Sequence, residues 1–223
     1  MFKPFALAAI VDGERGPRPL HWPVTTPPPG IAAMQSALVT SAHAPFVQLG
    51  KSIGWVWIRN AAVRAGLLKS SMAPLEQTFP IGTSTPSAIR TADAYATFAS
   101  SGKQNDPYSV TGVLRHGEPV PGLQHPDART AFTPGVAAIV DRVLQGVASR
   151  NGSQKIVPGS ASVATGADDL TKSAWFVGCT KDQSTAITLF RNKPGEAPLL
   201  SLKDTGGRAR FMGYDGDFAL NRR

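Results

Sequence analysis

Few side chains in the 223-residue sequence are of the types that do metal or redox chemistry. Cys179 is the single cysteine, which excludes an internal disulfide framework and any cysteine-based zinc cluster. The four histidines, at positions 21, 43, 116 and 125, follow no metal-ligand spacing. Asp168 and Asp169 indicate a turn before a strand rather than an acid/base pair. We therefore expect neither a metal site nor a cofactor.

Serine chemistry needs a second residue, because a serine hydroxyl becomes a good nucleophile only beside a base such as lysine or histidine. Ser36, Ser160 and Ser162 have no lysine or histidine at a diagnostic spacing. These positions alone therefore predict no catalytic serine.

The sequence is basic, with 23 Lys and Arg against 15 Asp and Glu and a formal net charge of +8. The basic residues are scattered from Lys3 to Arg223, and no basic stretch is interleaved with aromatic residues that could stack on bases. This pattern predicts no specific nucleic-acid surface. The net positive charge still predicts a general attraction to polyanions, including nucleic acids and anionic wall polymers.

No apolar run is long enough to cross a bilayer. The longest run near the start, Phe5 to Val11, is far shorter than the roughly 18 residues that a spanning helix needs. The charged stretch Asp12 to Arg15 follows it where a signal peptide would carry a small-residue cleavage site. We expect neither a membrane span nor a signal segment in the chain as given.

The elements that would position a site are predicted from apolar spacing and from Gly and Pro. The prolines of Asp12–Gly30 predict a loop. Helical spacing predicts helices over Phe2–Val11, Ile31–Thr40, Phe46–Ile53 and Trp55–Leu68, a helix that starts at Thr85-Pro86 and ends at Gly102, and a helix from Pro134 through Val147. Alternation predicts a strand over Tyr108–Leu114, an antiparallel hairpin of Ala174–Thr180 and Thr185–Arg191, and a short strand at Leu199–Leu202.

Several stretches together resemble the transpeptidase domain of class A penicillin-binding proteins of the type common in actinobacteria. They occur in the family's order and are Phe2–Ala9, Gln35–Ser41 with Phe46–Leu49, Gly82–Ser87 leading to Ala92–Ala99, and Lys172–Gly178. The resemblance implies an α+β fold of the penicillin-binding-protein and β-lactamase-like type, in which an antiparallel sheet packs against a mainly helical subdomain. It implies a transpeptidase-like domain over residues 1–207 and leaves 208–223 as a divergent tail.

The activity implied by this resemblance is peptidoglycan cross-linking by serine D,D-transpeptidation, and the implied ligands are a peptidoglycan stem peptide or a β-lactam. The family carries its active site on three motifs, S-x-x-K, S-x-N and K-T-G. By resemblance, Lys3 takes the lysine position of the first motif, and the nucleophilic serine would fall one place before Met1.

The other two motifs depart from the family pattern. Ser41-Ala42-His43 takes the place of S-x-N, so Ser41 is implied to relay a proton and His43 stands where the family's asparagine contacts substrate. Thr165 and Gly166 are implied substrate-binding positions in the third motif, in which Ala164 replaces the lysine or a Gly-Lys pair is lost. Either alignment removes a cation that would bind the substrate carboxylate.

These departures predict a degenerate, catalytically incompetent relative. A simpler interpretation of each residue accompanies that prediction: Lys3 is exposed at a frayed terminus without a catalytic partner, and Ser41 caps a helix. Thr165 and Gly166 would keep a strand conformation without a function. The alternatives from other classes are a noncatalytic module that binds peptidoglycan peptides or a wall-synthesis partner, and a remnant with no role.

The ends of the chain also differ from the family, whose domain has strands before the serine helix and a long helix after the last strand. The chain begins inside that helix, which predicts a truncated domain with an incomplete sheet. An uncovered sheet edge and apolar face, including Ile187 and Leu189, would favour self-association. The family is extracytoplasmic and membrane-anchored, whereas the chain as given is expected in the cytoplasm.

Overall fold

The computed structural model of the chain describes residues 2–15, 29–125, 127–150, 160–165 and 173–190. The helices of these segments are α1 (Lys3–Arg15), α2 (Ile31–Val39), α3 (Ala44–Ile53), α4 (Trp55–Arg64), α5 (Ala88–Ala99) and α6 (Pro134–Arg150), with 3-10 turns at Lys69–Ser71 and Phe79–Ile81. The strands are β1 (Lys103–Gln104), β2 (Leu114–Arg115), β3 (Glu118–Pro119), β4 (Arg129–Thr130), β5 (Ser160–Thr165), β6 (Ser173–Cys179) and β7 (Ser184–Phe190).

Helix α1 is the buried centre of the helical layer. The side chains from Phe5 to Val11 are all buried, and the helix contacts α2, α3, α4 and α6. A helix that is apolar on every side has to be enclosed in this way, because no face of it gains from contact with water. The other helices therefore form a layer around α1, and its first turn lies inside the protein.

Aromatic rings extend this core from α1 toward the other helices. Phe2 packs edge-on against Phe79, with ring centroids 5.2 Å apart, and Phe5 packs edge-on against Tyr95 at 5.7 Å. Phe98 stacks on Phe132 at 5.5 Å. Such pairs contribute about 0.5 to 1.5 kcal/mol each beyond the area that they bury. They fix the position of α1 against α5 and the segment before α6.

The sequence prediction for α1 was correct in type and too short. The helix continues to Arg15, so the predicted loop at Asp12–Gly30 is wrong over its first four residues. Arg64 of α4 explains part of the difference, because its Nη1 donates to Asp12 Oδ2 at 2.9 Å. The same guanidinium lies 4.5 Å from the centroid of the Phe132 ring. Residues 16–28 of the predicted loop lie outside the described residues.

The sheet is antiparallel, with the strand order β5-β6-β7. The predicted hairpin is confirmed, with Trp175 opposite Thr188 and Val177 opposite Ala186. Helices α5 and α6 contact this sheet, and Trp175, Val177 and Cys179 are buried. Cys179 is thus a core residue, and burial raises the pKa of its thiol to about 11.

Part of the sheet lacks such cover. Ile187, Leu189 and Phe190 of β7 are 52%, 43% and 52% exposed. Within the described segments, β5 and β7 each pair only with β6. An α+β architecture with an apolar, partly open sheet is therefore observed, whereas self-association through it stays a prediction.

Two predicted boundaries need correction. Helix α5 begins at Ala88, because the Ser87 hydroxyl accepts a hydrogen bond from the Arg90 N–H at 3.4 Å and caps the helix. Thr85 is not the cap, since its N–H donates to the Ser71 carbonyl at 3.1 Å in an extended segment. Helix α4 ends at Arg64 rather than at Leu68.

The predicted strand over Tyr108–Leu114 is wrong over most of its length. Only its last residue, Leu114, belongs to a strand, and it pairs with Pro119 across a turn at His116 and Gly117. A polar cluster that ranges from the buried Gln104 to the largely exposed Asp106 precedes this stretch. The amide nitrogen of Gln104, which is 1% exposed, donates to Asp93 Oδ2 at 3.0 Å.

The pKa values of the two carboxyl groups in this cluster are shifted in opposite directions. The Arg90 guanidinium donates to Asp106 Oδ1 at 2.5 Å and holds the pKa of that carboxyl below its ordinary value. Burial raises the pKa of Asp93 instead. The cluster attaches the chain after β1 to α5 through polar contacts.

Some predictions fall outside the described residues, namely the strand at Leu199–Leu202 and the boundary between 1–207 and 208–223. In the described part of the chain, no helix combines the length and apolar character needed to cross a membrane.

Gly102 supplies the first testable prediction. Its φ is +84°, its carbonyl accepts from the Ala131 and Phe132 N–H groups, and a Cβ on it would overlap the Phe132 carbonyl oxygen. Gly117 has a φ of +87° and nothing within 4 Å of such a Cβ, so it is a matched control. Gly117→Ala should cost about 1 to 2 kcal/mol from backbone strain alone.

Gly102→Ala should cost a further 1 to 3 kcal/mol, about the penalty of overpacking, because the Phe132 backbone would have to move. The measurement is the free energy of unfolding in urea for both variants. Equal losses would show that the close approach at Gly102 does not constrain the fold.

Candidate active site

Lys3 lies in the first turn of α1 and is only 6% exposed. Its Nζ is 2.6 Å from the backbone carbonyl oxygen of Ser41 and 3.1 Å from the Ser41 hydroxyl oxygen. The interpretation of Lys3 as an exposed residue at a frayed terminus is therefore wrong, because the apolar surroundings of α1 enclose its stem and leave its amine facing Ser41. The structure brings together two residues that are 38 positions apart in the sequence.

Ser41 ends the turn that follows α2 and adopts a left-handed conformation, with φ of +58°. Its N–H donates to the Leu38 carbonyl, and the Ala42 N–H donates to the Ala37 carbonyl. This pair of hydrogen bonds is the Schellman arrangement, in which the left-handed position is usually glycine. Serine costs more than glycine there, so the position needs an explanation beyond helix termination.

The interpretation of Ser41 as the N-cap of a helix is also wrong, although Ser41 takes the left-handed position of the Schellman motif that ends α2. The N-cap residue of α3 is His43, and the Ser41 hydroxyl contacts Lys3 instead. The left-handed turn directs both the carbonyl and the hydroxyl of Ser41 to the same amine. Two acceptors at one donor compensate in part for the loss of water around Lys3.

The electrostatics of Lys3 follow from its burial. Desolvation lowers the pKa of its amine from 10.5 to about 8. The Phe46 ring centroid lies 5.8 Å from Nζ, and no ion pair of the described residues involves Lys3. A neutral amine is therefore accessible near pH 8, and only the neutral form can accept a proton from a hydroxyl.

The remaining predicted site residues are less closely defined. His43 is exposed at the start of α3, two residues after Ser41, and its side chain does not cap that helix. Thr165 is the last residue of β5, where it pairs with Ala174, and Gly166 lies outside the described residues. The roles of His43, Thr165 and Gly166 in substrate binding stay predictions.

Sequence reasoning missed two contributors to the site, the Ser41 carbonyl and the Phe46 ring. A carbonyl is present in every residue, and Phe46 begins one of the stretches that carry the resemblance but fits a helix core equally well. One signal was available for the turn: a helix ends after Val39 and no glycine follows within three residues. A left-handed non-glycine residue could have been suspected there.

An antiparallel sheet covered by helices, with a buried lysine beside a serine, defines an α+β protein of the penicillin-binding-protein type. The sequence matches the penicillin binding protein transpeptidase domain over residues 22–209, and the chain belongs to that family. The match starts after α1, so the assignment of Lys3 rests on its contact with Ser41. The actinobacterial origin and the truncation stay predictions.

The relatives come from several bacteria. The chain is 27% identical over 200 residues to penicillin-binding protein 1A of Neisseria lactamica, which covers 86% of this chain and 23% of that protein. The penicillin-binding protein PonA1 of Mycobacterium tuberculosis has a similar structure, with a TM-score of 0.65, 22% identity, and coverage of 90% of this chain and 62% of that one. Penicillin-binding protein A of the same organism, an imipenem acyl-enzyme complex, gives a TM-score of 0.61, 20% identity, and 85% and 54% coverage.

The identities to the solved structures are low enough that they establish the fold alone. The chain spans less than a quarter of the length of the Neisseria protein.

The second prediction concerns the ionisation of Lys3. Since burial is the cause of the shift, Ser41→Ala should leave the pKa of Lys3 near 8. The measurement is a pH titration of the Lys3 ε-carbon by NMR, with the resonance assigned by its loss in Lys3→Met. A midpoint near 10.5 in the unsubstituted chain would show that the amine is hydrated and the site is open.

Proposed function

We propose that this chain acts in peptidoglycan cross-linking as a penicillin-binding transpeptidase domain that binds stem peptides and β-lactams, without catalysing the cross-link efficiently. The contact between Lys3 and Ser41 supports this proposal most directly. A buried amine with a pKa of about 8 beside a hydroxyl is a proton-transfer pair, which acyl transfer needs.

The proposed chemistry is transfer of an acyl group from a peptide to the serine of the first family motif, which the resemblance places one position before Met1, and then to an amine. Neutral Lys3 accepts the proton of the attacking hydroxyl, and Ser41 relays a proton to the leaving amine. The Ser41 carbonyl holds the lysine in place during both transfers. In this scheme His43 and the end of β5 contact the bound peptide.

Weak catalysis is proposed on the basis of two departures in the binding residues. In the third motif Ala164 replaces the family's lysine or a Gly-Lys pair is lost, and in either alignment the substrate carboxylate loses a charge-assisted hydrogen bond. His43 replaces an asparagine that both donates and accepts, whereas a neutral imidazole offers one donor and one acceptor at a different position. Both changes impair the orientation of the bound substrate more than they impair proton transfer.

A noncatalytic module that binds stem peptides or a wall-synthesis partner is the second candidate. The left-handed Ser41 and the buried Lys3 favour either function over a remnant with no role. Both features reduce stability, because a left-handed serine is less favourable than glycine at the end of a helix and a buried amine loses its hydration. Saturable binding without turnover would identify the module, and absence of binding would identify the remnant.

The third prediction restores the missing cation. Ala164→Lys should tighten binding of a D-Ala-D-Ala peptide, because a charge-assisted hydrogen bond contributes about 1.5 to 3 kcal/mol, or roughly 10-fold to 150-fold in Kd. Ala161→Lys is the matched control, since it places the same charge three residues earlier in β5.

The measurement is fluorescence anisotropy of a labelled peptide that ends in D-Ala-D-Ala, with an amidated peptide as the second control. The amidated peptide should gain nothing from Ala164→Lys. An equal gain from Ala161→Lys would show that the effect is the general attraction of a basic chain for an anion, and the assignment of β5 to substrate binding would be wrong.

We further propose that β7 mediates self-association. One face of β7 carries Ile187 and Leu189, each close to half exposed, beside an edge that pairs with no strand of the described segments, and the exposed Phe190 lies on the other face at the end of the strand. An apolar face next to an open edge is the kind of surface that pairs with a second copy.

The fourth prediction tests that surface. The double variant Ile187→Thr, Leu189→Thr should lower the weight-average mass measured by sedimentation, since threonine keeps strand propensity and removes most of the apolar area. Val110→Thr, Leu114→Thr is the control, because these residues are 61% and 65% exposed elsewhere. A monomer at every concentration in the unsubstituted chain would overturn the proposal.

A further inference from the structure

We propose that Ser41 is itself a nucleophile activated by Lys3, and that the pair gives the chain an acyl-transfer activity toward small activated esters. This goes beyond the proposed function, in which Ser41 only relays a proton. The activity would need neither the cation missing at position 164 nor a peptide bound along β5.

The geometry assigns the two oxygens of Ser41 different parts in this reaction. A neutral amine has two N–H groups and one lone pair. One N–H donates to the Ser41 carbonyl oxygen at 2.6 Å. The lone pair is then free to accept the Ser41 hydroxyl proton across 3.1 Å, which is within the range for general base catalysis.

The surroundings of Lys3 favour the neutral form. The amine is buried on α1, and the element packed beside it contributes the Phe46 ring, 5.8 Å from Nζ. The nearest acidic residue along α1, Asp12, is ion-paired with Arg64. His43 is the titratable residue next to Ser41 in the sequence, and it is exposed. Burial lowers the pKa of Lys3 to about 8, which supports the same assignment.

Ser41 is more accessible than its base. Thr40, Ser41 and Ala42 are all partly exposed, whereas Lys3 is 6% exposed. In the proposed reaction a small acyl donor approaches Ser41, the more exposed residue of the pair, from solvent while the lysine stays shielded.

The reaction balances with p-nitrophenyl acetate as the acyl donor. Ser41 Oγ forms a bond to the acetyl carbon as its proton moves to Lys3 Nζ, and the bond from that carbon to the phenolic oxygen breaks. The products are acetyl-Ser41 and p-nitrophenolate, and the Lys3 ammonium then releases its proton to solvent. Water can later hydrolyse the acetyl-serine, which regenerates the hydroxyl.

The experiment mixes the full chain with p-nitrophenyl acetate and measures p-nitrophenolate release together with the acetylated residue, by peptide mass spectrometry. We expect a burst that approaches one equivalent per chain, acetylation at Ser41, and an acylation rate that rises with pH and levels off above about 8. Ser41→Ala should abolish the burst, and Ser36→Ala, which removes an α2 hydroxyl, should keep it.

Lys3→Arg tests the base, because arginine keeps the charge and stays protonated. The burst rate should fall about 100-fold or more, the usual contribution of a general base. Circular dichroism and thermal unfolding should show that each variant is folded, and Lys3→Met provides a neutral replacement if arginine does not fold. Retention of the burst in a folded Lys3 variant would overturn the proposal.

Two further outcomes would also overturn it: acetylation of Lys3 or another amine while Ser41 stays unmodified, and a burst that survives Ser41→Ala. Peptide binding is measured separately, so the two proposals can fail independently. A chain that binds the D-Ala-D-Ala peptide but is never acetylated keeps the proposed function and loses this one. Acetylation of Ser41 without peptide binding supports this proposal and contradicts the proposed function.

Discussion

The enclosure of α1 is the constraint on which the rest of the structure depends. A helix whose residues from Phe5 to Val11 are all buried has to be surrounded, and this places the amine at its start inside the protein as well. An ammonium group without water needs acceptors, and the turn after α2 supplies two of them. The left-handed Ser41 is therefore a consequence of where α1 lies, as much as a feature of α2.

The enclosure of α1 explains why some residues of the site are held more firmly than others. The amine and its acceptors are held by helix packing and by hydrogen bonds within one turn, so little movement is available to them. Thr165, the predicted substrate-binding position of β5, belongs to a strand that pairs with β6 alone among the described strands. The predicted proton-transfer pair and the predicted β5 position thus lie in different parts of the fold.

The helices and the β6-β7 hairpin could be predicted from sequence, because apolar spacing on α1 and α6 and alternation in β6 report directly on burial. The ends of the helices were harder to predict from the sequence, because single hydrogen bonds of Ser87 and Asp12 help to determine them. Tyr108 to Leu114 shows the limit of alternation, as no partner strand lies beside most of that stretch in the described residues.

Only part of the site could be predicted from the sequence, for a similar reason. Lys3 and Ser41 were identified through their resemblance to family motifs, whereas their contact could not be derived from positions so far apart. From its position in the sequence, Lys3 was predicted to be exposed, because terminal residues usually are. Its burial depends on the aromatic packing of Phe2 and Phe5 against Phe79 and Tyr95, which is a property of the tertiary structure.

The separation of 38 residues between Lys3 and Ser41 has a consequence for how the protein acquires its chemistry during folding. The α2–α3 turn can form locally, but the amine reaches it only when α1 enters the space between the other helices. Contacts of this range form after the loop-closure entropy has been overcome, and they are absent from partly folded states in which α1 is still solvated. In such states Lys3 would be an ordinary hydrated lysine. The burial of Lys3, and the lowered pKa that follows from it, are thus acquired in the same step that completes the core.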